Sequence, residues 1–341
     1  MRRRASGHRF DAGAVRRAWA LALLFGALWL ALGGCLSGPF PGAPPKGADD
    51  GAVREAAAIR LVDATGAEVA LPAPARRVVT LLPSLTETVA AVAGAKVLVG
   101  VTANDTYPPE VRTLPTVGDM AVDPERVAAL RPDLILAGRF HGTTVVPALR
   151  RLGIPVFVEE ENARTFDDVY RTIRNVAALL GEGKRGEALV ARLSSRVQAI
   201  EAAVRAVPEA ERKTAFVLLS PPPDVYTAGG DTFIGAVLRA AGVMNVAEAA
   251  EGWPLWSAED VVRADPDVLL LVAGEGEAKR WIEALRRSPG LSTLRAVRES
   301  RVVAIDADRI SRPGPRLVEA LVEVVRAVYP GVVVPEGVGG G

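Results

Sequence analysis

The segment VDPERVAALRPDLILAG (residues 122–138) has a near twin further on, SAEDVVRADPDVLLLVAG (257–274). Aligned, Glu125 falls on Glu259, Pro132 on Pro266 and Asp133 on Asp267, each pair 134 positions apart. Asp123 and Ser257 are side chains that cap helix N-termini, Pro124 and Ala258 suit the first helical position, and both glutamates then fall in the first turn. A carboxylate there gains about 0.3–1 kcal/mol from the helix dipole. Each phrase ends in an apolar strand. A chain that writes helix-then-strand twice, so far apart, calls for two lobes of matching topology. Equivalent helix starts would project both glutamates from one side of such a body, where they could pair with arginines of a two-fold partner.

Strand and helix signals alternate around the repeat. IRLVDATGAEVALPAPARR reads as a short hairpin ended by prolines. RVVTLL (77–82) is a strand, Pro83-Ser84 a turn with a helix cap, LTETVAAVAGA a helix stopped by Gly94, and KVLVGV a second strand. A helix and a strand follow in TTVVPALRRLGIPVFV (143–158). The rhythm breaks after residue 165. Beyond Gly186, Leu189, Leu193, Val197, Ile200 and Val204 recur at spacings of three and four, which predicts one long amphipathic helix. KTAFVLLS then restarts the pattern, and DTFIGAVLRAAGV, the repeat, a helix near 277–286, RVVAI and a last helix at 313–328 complete it. The expected fold is α/β, with two βα lobes built on central parallel sheets, 58–165 and 213–341, joined by a backbone helix within 166–212. The glycines of AGGDTFIG (228–235) are expected to give close helix packing rather than a phosphate cradle.

The N-terminus belongs to neither lobe. Residues 1–34 hold six Arg and one Asp, whereas the chain as a whole carries a formal charge of only +1. The body is therefore mildly acidic and offers no footprint for nucleic acid. Arg16-Arg17 precede fifteen apolar residues, 18–32, too short for a membrane span but suited to the core of a secretory signal. Residues 36–57, rich in Pro, Gly and Ala, read as a flexible tether.

Signatures of catalysis are missing. There is no P-loop, H-E-x-x-H or G-x-S-x-G, and the only histidines are His8 and His141. Cys35 is the only cysteine, which excludes disulfides and cysteine-based metal sites. No catalytic residue, metal site or resident cofactor is expected. Ligands of open α/β sheets lie at the C-terminal ends of the strands. The loops there hold Asn104, Tyr107, Asp119, Met120, Phe140, His141, Tyr226, Trp253, Trp256, Asp308, Arg309 and Arg312. Aromatics make up only 5% of the chain, so finding Tyr226, Trp253 and Trp256 in loops favours a cleft wall for a large planar or apolar ligand. DRISRPGPR (308–316) aims Arg312 towards the space between lobes, and His141 is expected at the surface of a loop.

Together, RVVTLLPSLTE, GVTANDTYPPE, VGDMAVDPERVAALRPDLILA, YTAGGDTFIGAVLRAAGVMNV, WPLWSAEDVVRADPDVLLL and RPGPRLVEAL resemble the periplasmic binding proteins that serve ABC importers of vitamin B12, ferric siderophores and haem. LGGC resembles a lipobox, which implies that residues 1–34 are removed and that Cys35 is lipidated, anchoring an extracytoplasmic protein to the membrane. The resemblance implies a monomer whose lobes close only slightly and dock through Glu125 and Glu259 onto a permease with its ATPase. YPPE, YTAGG and WPLWSAED are most similar to the cobalamin-binding branch, which implies Tyr226, Trp253, Asp308 and Arg312 as contacts of a corrinoid. Where enterobacterial receptors carry first-lobe aromatics, this chain has Asn104, Asp119 and Met120, which become the first-lobe candidates. A ferric siderophore is the alternative cargo, then haem, for which Tyr226 or His141 would ligate the iron. A secreted α/β enzyme is the reading from another class.

Overall fold

The computed structural model describes residues 59–335 apart from Met120 and Asp224. An antiparallel hairpin, β1 (Ile59–Val62) and β2 (Glu68–Leu71), comes first. Next are β3 (Val78–Thr80), α1 (Pro83–Ala93), β4 (Leu98–Gly100), α2 (Pro124–Ala129), β5 (Leu134–Gly138), α3 (Val146–Arg151) and β6 (Val156–Glu159). Strands β4-β3-β5-β6, in that order, form a parallel sheet. Helices α4 (Phe166–Leu179) and α5 (Gly183–Arg205) lead to the second lobe. It contains β7 (Thr214–Leu218), β8 (Val225–Tyr226), α6 (Phe233–Ala240), β9 (Met244–Asn245), β10 (Leu255–Trp256), α7 (Ala258–Ala264) and β11 (Val268–Val272). It ends with α8 (Glu275–Arg287), α9 (Arg295–Arg298), β12 (Val302–Ile305), α10 (Ala307–Ile310) and α11 (Leu317–Val328). Its parallel sheet runs β9-β7-β11-β12, the same chain-order topology as the first. β8 and β10 pair separately as an antiparallel ribbon.

Local chemistry shows why the repeated phrase builds the same object twice. Asp123 caps α2 by accepting from the Glu125 and Arg126 N–H groups at 3.0 and 3.2 Å, and Ser257 caps α7 by accepting from Asp260 N–H at 3.1 Å. Both helices close at a left-handed residue, Arg131 (φ 48°) and its counterpart Asp265 (φ 37°). A proline follows each, then an aspartate. Asp133 accepts from the N–H groups of Arg76 and Arg77 at 2.8 and 2.9 Å, just before β3. Asp267 accepts from the N–H and hydroxyl of Thr214, both at 3.0 Å, at the start of β7. Backbone donors at a strand's start need partners. These carboxylates supply them and fix the register of the repeat's strand against its neighbour. Glu125 and Glu259 take no part in that device and lie exposed in the first turns of their helices.

The sheets share one core. Leu134, Leu136 and Phe157 of the first lobe and Ala215, Val217 and Leu270 of the second belong to a single apolar body. Helix α5 runs through it with Leu189, Leu193, Val197, Ile200 and Val204, the periodic residues of the sequence, all buried. At 23 residues it is about 35 Å long. The opposite sheet faces are covered separately: Val79, Ile135 and Val158 by Val127 and Leu149, and Phe216, Leu269 and Leu271 by Trp281 and Leu285.

Several boundaries differ from expectation. Helix α1 begins at Pro83 with Leu82 as an N-cap that lends no side chain, so Ser84 is inside the first turn rather than capping it. Proline's fixed φ and missing N–H suit the first helical position. The helical stretch after 165 divides at Gly181 (φ 70°) into α4 and α5. The last helix starts at Leu317, leaving 312–316 with its two prolines as a separate turn. Tyr226 and Trp256 lie on the β8–β10 ribbon rather than in loops.

At the end of β6, Glu159 is buried. Burial pushes its carboxyl up to about 6, against the hydrogen bonds from Asn175 and Thr172 and the charge of Arg171, while the charge of Asp63 adds to the rise. A raised folded-state pKa favours the folded chain fully below the ordinary carboxyl value, and that advantage is lost as pH rises through about 6. Glu159→Gln should therefore stabilise the protein at pH 8 by about 2 kcal/mol and change little near pH 4, as read by denaturant unfolding at the two pH values.

Candidate functional site

The strand ends of the two lobes meet at a carboxylate. Glu87, on α1 of the first lobe, has a side chain only 1% exposed. Arg316 of the second lobe grips it with both arms of its fork, Nε to Oε2 at 2.8 Å and Nη2 to Oε1 at 2.6 Å. Arg312 adds a third bond, Nη1 to Oε1, at 3.2 Å. Arg312 also donates to the Thr106 hydroxyl at 3.0 Å, the Asn104 carbonyl at 3.1 Å and Asp308 at 2.9 Å. The Thr106 hydroxyl donates to the other Asp308 oxygen at 2.9 Å. The Arg316 guanidinium lies over the Tyr107 ring, 4.0 Å from its centre, a cation–π contact. Burial works against the Arg316 charge, but the hydrogen bond and charge of Glu87 hold its pKa above the ordinary value. A Cβ on Gly314 would come within 3.3 Å of the Ser84 carbonyl, so the 312–316 turn lies against the first turn of α1.

Sequence reasoning placed Asn104, Asp308 and Arg312 in this region and missed Glu87 and Arg316. One signal was present. Glu87 is the only charge in an otherwise apolar or hydroxyl-bearing helix, where a buried carboxylate needs a partner. The adjoining loop is organised by Asp105, which accepts from the Thr102 N–H at 2.8 Å and hydroxyl at 2.6 Å. Burial raises the Asp105 pKa despite hydrogen bonds from Thr102 and Thr86 and the charge of Arg312.

The second lobe supplies exposed aromatics. Tyr226 is 45% exposed on β8, facing Leu255 across the ribbon, and Trp253 is 39% exposed with its ring against Phe233 at 5.1 Å. The loop bearing Trp253 is pinned by close backbone approaches: a Cβ on Gly229 would meet the Ala250 carbonyl at 2.2 Å, and one on Gly230 the Glu248 carbonyl at 2.4 Å. Close packing is thus what the glycines provide. Trp256 is half-buried against Phe216 at 5.4 Å and belongs to the core of its lobe rather than to a cleft wall.

His141 also departs from expectation. It is buried, not at the surface, because Phe140 stacks on it at 3.9 Å and its Nδ1 accepts from Gly138 N–H at 3.2 Å. Burial lowers its pKa from the ordinary value. Phe140 itself remains exposed. Arg309 turns away to Glu323 and Glu319 on α11. Asp119 is exposed in the loop before α2, where it accepts from Ala121 N–H at 3.4 Å. Met120 and Cys35 lie outside the described residues. Among the described residues no cluster of His, Cys, Asp and Glu is arranged to hold a metal, and no helix is long and apolar enough to cross a membrane.

Two topologically matched α/β lobes on one backbone helix, with strand ends facing each other, define a bilobal binding protein. The sequence profile of the periplasmic binding proteins matches residues 78–309. An ABC transporter substrate-binding lipoprotein of Bacillus subtilis is 34% identical over 317 residues, 92% of this chain and 96% of the relative. A cobalamin-binding protein of Halobacterium salinarum is 32% identical over 274 residues, 78% of this chain and 73% of the relative. The solved apo form of a periplasmic haem-binding protein of Roseiflexus sp. RS-1 superposes with a TM-score of 0.68 at 30% identity, covering 75% of this chain and 98% of that one. The chain belongs to the periplasmic binding-protein family that serves ABC importers of vitamin B12, ferric siderophores and haem. It is a substrate-binding protein, not an enzyme.

Because the Gly229 and Ala250 backbones touch, Gly229→Ala should lower stability by about 1–3 kcal/mol, the range for overpacking. Thermal unfolding measures the loss, and Trp253 emission should shift in the same variant as its loop moves.

Proposed function

We propose that this protein captures cobalamin or a related corrinoid between its lobes and hands it to the permease of an ABC importer with its ATPase. Lipidated at Cys35 and freed of residues 1–34, it works as an anchored monomer on the extracytoplasmic side. The observation that carries the cargo reading is the pair Tyr226 and Trp253. Two large rings stand exposed on backbone that the β8–β10 ribbon and the glycine turn hold in place. Rigid exposed aromatics suit a broad, partly apolar face, and a prearranged wall loses little entropy on binding. The kinship with a cobalamin-binding protein supports the same cargo. Asp308 and Arg312, which already bond each other and the first lobe, would meet the amide periphery of the corrinoid, with Asn104 and Asp119 on the facing lobe. Slight lobe closure and docking complete the cycle, and no bond is made or broken.

A ferric siderophore is the alternative cargo. For haem, Tyr226 offers an exposed phenol for the iron, whereas His141 is buried with one nitrogen already engaged.

Titration with cyanocobalamin, haemin and ferrichrome, followed by tryptophan fluorescence, tests the cargo. Cyanocobalamin should quench, and Trp253→Ala should weaken its binding by about 2 kcal/mol, or roughly thirtyfold in Kd. Quenching by ferrichrome alone would transfer the assignment to siderophores. Docking is tested by reversing both exposed helix-start charges. Glu125→Arg with Glu259→Arg should abolish uptake by cells while leaving the Kd unchanged, and normal uptake would reduce these glutamates to dipole partners.

A further inference from the structure

We infer that Glu87 is a positioning residue whose carboxylate latches the two lobes together at the strand ends and holds the Arg312–Asp308 pair in place. Both of its partners come from the other lobe, Arg312 and Arg316, 225 and 229 residues away in sequence. Their side chains are 12% and 13% exposed, whereas Asp308 at the rim is 49% exposed, so the fork is largely withdrawn from solvent and its edge is not. An Arg–carboxylate fork fixes direction as well as distance, which a packing contact does not.

Three segments hang on this carboxylate. The first is the 312–316 turn, through Arg312 and Arg316. The second is the loop after β4, because Arg312 bonds the Asn104 carbonyl and Thr106, and Arg316 covers Tyr107. The third is Asp308, tied through Arg312 to one lobe and through Thr106 to the other. Glu87, Asp308, Arg312 and Arg316 bring two charges of each sign to the latch, with Asp105 and Glu319 also within reach of the arginines. With α5 joining the apolar cores, it is a second tie between lobes, and it sets how their strand ends face each other within the small range that the core allows.

The lobe-spacing part stands without any cargo assignment, and only the ligand arm of its test rests on the corrinoid reading. Glu87→Gln leaves two buried guanidinium groups short of charge. Glu87→Leu combined with Arg316→Met replaces the forked pair with apolar side chains of similar bulk, a change that commonly preserves folding. Spin labels at the exposed positions Arg126→Cys and Arg263→Cys, in a full-length Cys35→Ser background, report the distance between α2 and α7 in ligand-free protein.

The unaltered pair should give one narrow distance distribution. Both Glu87 variants should widen it and lengthen its mean, and cyanocobalamin should leave about tenfold faster. A double variant that melts like the parent yet keeps the narrow distribution overturns the latch. One that widens the distribution but releases cyanocobalamin at the parental rate overturns the positioning role. If the parent does not bind cyanocobalamin, the cargo reading fails and the release arm is run with whichever of haemin or ferrichrome quenches. The distance arm is unaffected by that result.

Discussion

One apolar body joins the two lobes, and most of what the protein does follows from that. Helix α5 packs on α1 and α4 of the first lobe and on α6 and α11 of the second, within the same apolar body as one face of each sheet, so neither lobe can swing away without exposing Leu, Val and Phe to water. Each such side chain contributes roughly 1.5–3 kcal/mol when buried. Interiors packed this tightly transmit displacement instead of absorbing it. The lobes therefore have a small range of motion.

The polar interactions divide in the same way. Surface pairs such as Arg126–Asp123 and Arg263–Asp260 link residues one helical turn apart and are well hydrated. Pairs of that kind contribute about 0–1 kcal/mol and constrain nothing distant. The Glu87 fork is mostly buried and joins residues more than two hundred positions apart. Desolvation costs such a cluster several kcal/mol, so its net stabilisation is modest, but the geometry it imposes is strict. Apolar contact determines that the lobes stay together; the ion cluster determines how their strand ends face each other.

Much of the architecture was legible because it is written in local patterns. The repeat announced matching lobes, the spacing of Leu189 to Val204 announced α5, and the glycines of 228–235 announced a close approach. The proline-aspartate step proved to be a register device whose partner strand lies more than fifty residues upstream in each lobe. What stayed hidden depends on tertiary placement. Trp256 turned inward because it sits on a ribbon packed over Phe216, and His141 because Phe140 covers it. Nothing in the sequence singles out Arg316, and only the fold brings it to Glu87. The two-residue strand β9 carries too little pattern to announce itself.

The lobes are alike in topology and unlike in their loops. The first presents the loop organised by Asp105, with Tyr107 and Phe140 exposed, and the second an antiparallel ribbon carrying Tyr226. Divergence at the strand ends is what a cleft with two different faces requires, and it makes persistent sameness elsewhere informative. Within the repeat, Asp123 and Ser257 are used for caps, and Asp133 and Asp267 for register. Glu125 and Glu259 serve neither purpose, yet occupy the same exposed slot in both lobes. Helix dipoles reward a carboxylate there by under about 1 kcal/mol and would accept aspartate or several other residues nearly as well. The internal needs of the fold thus leave the matched glutamates underdetermined, while a partner with two like halves would need them in that place and that number.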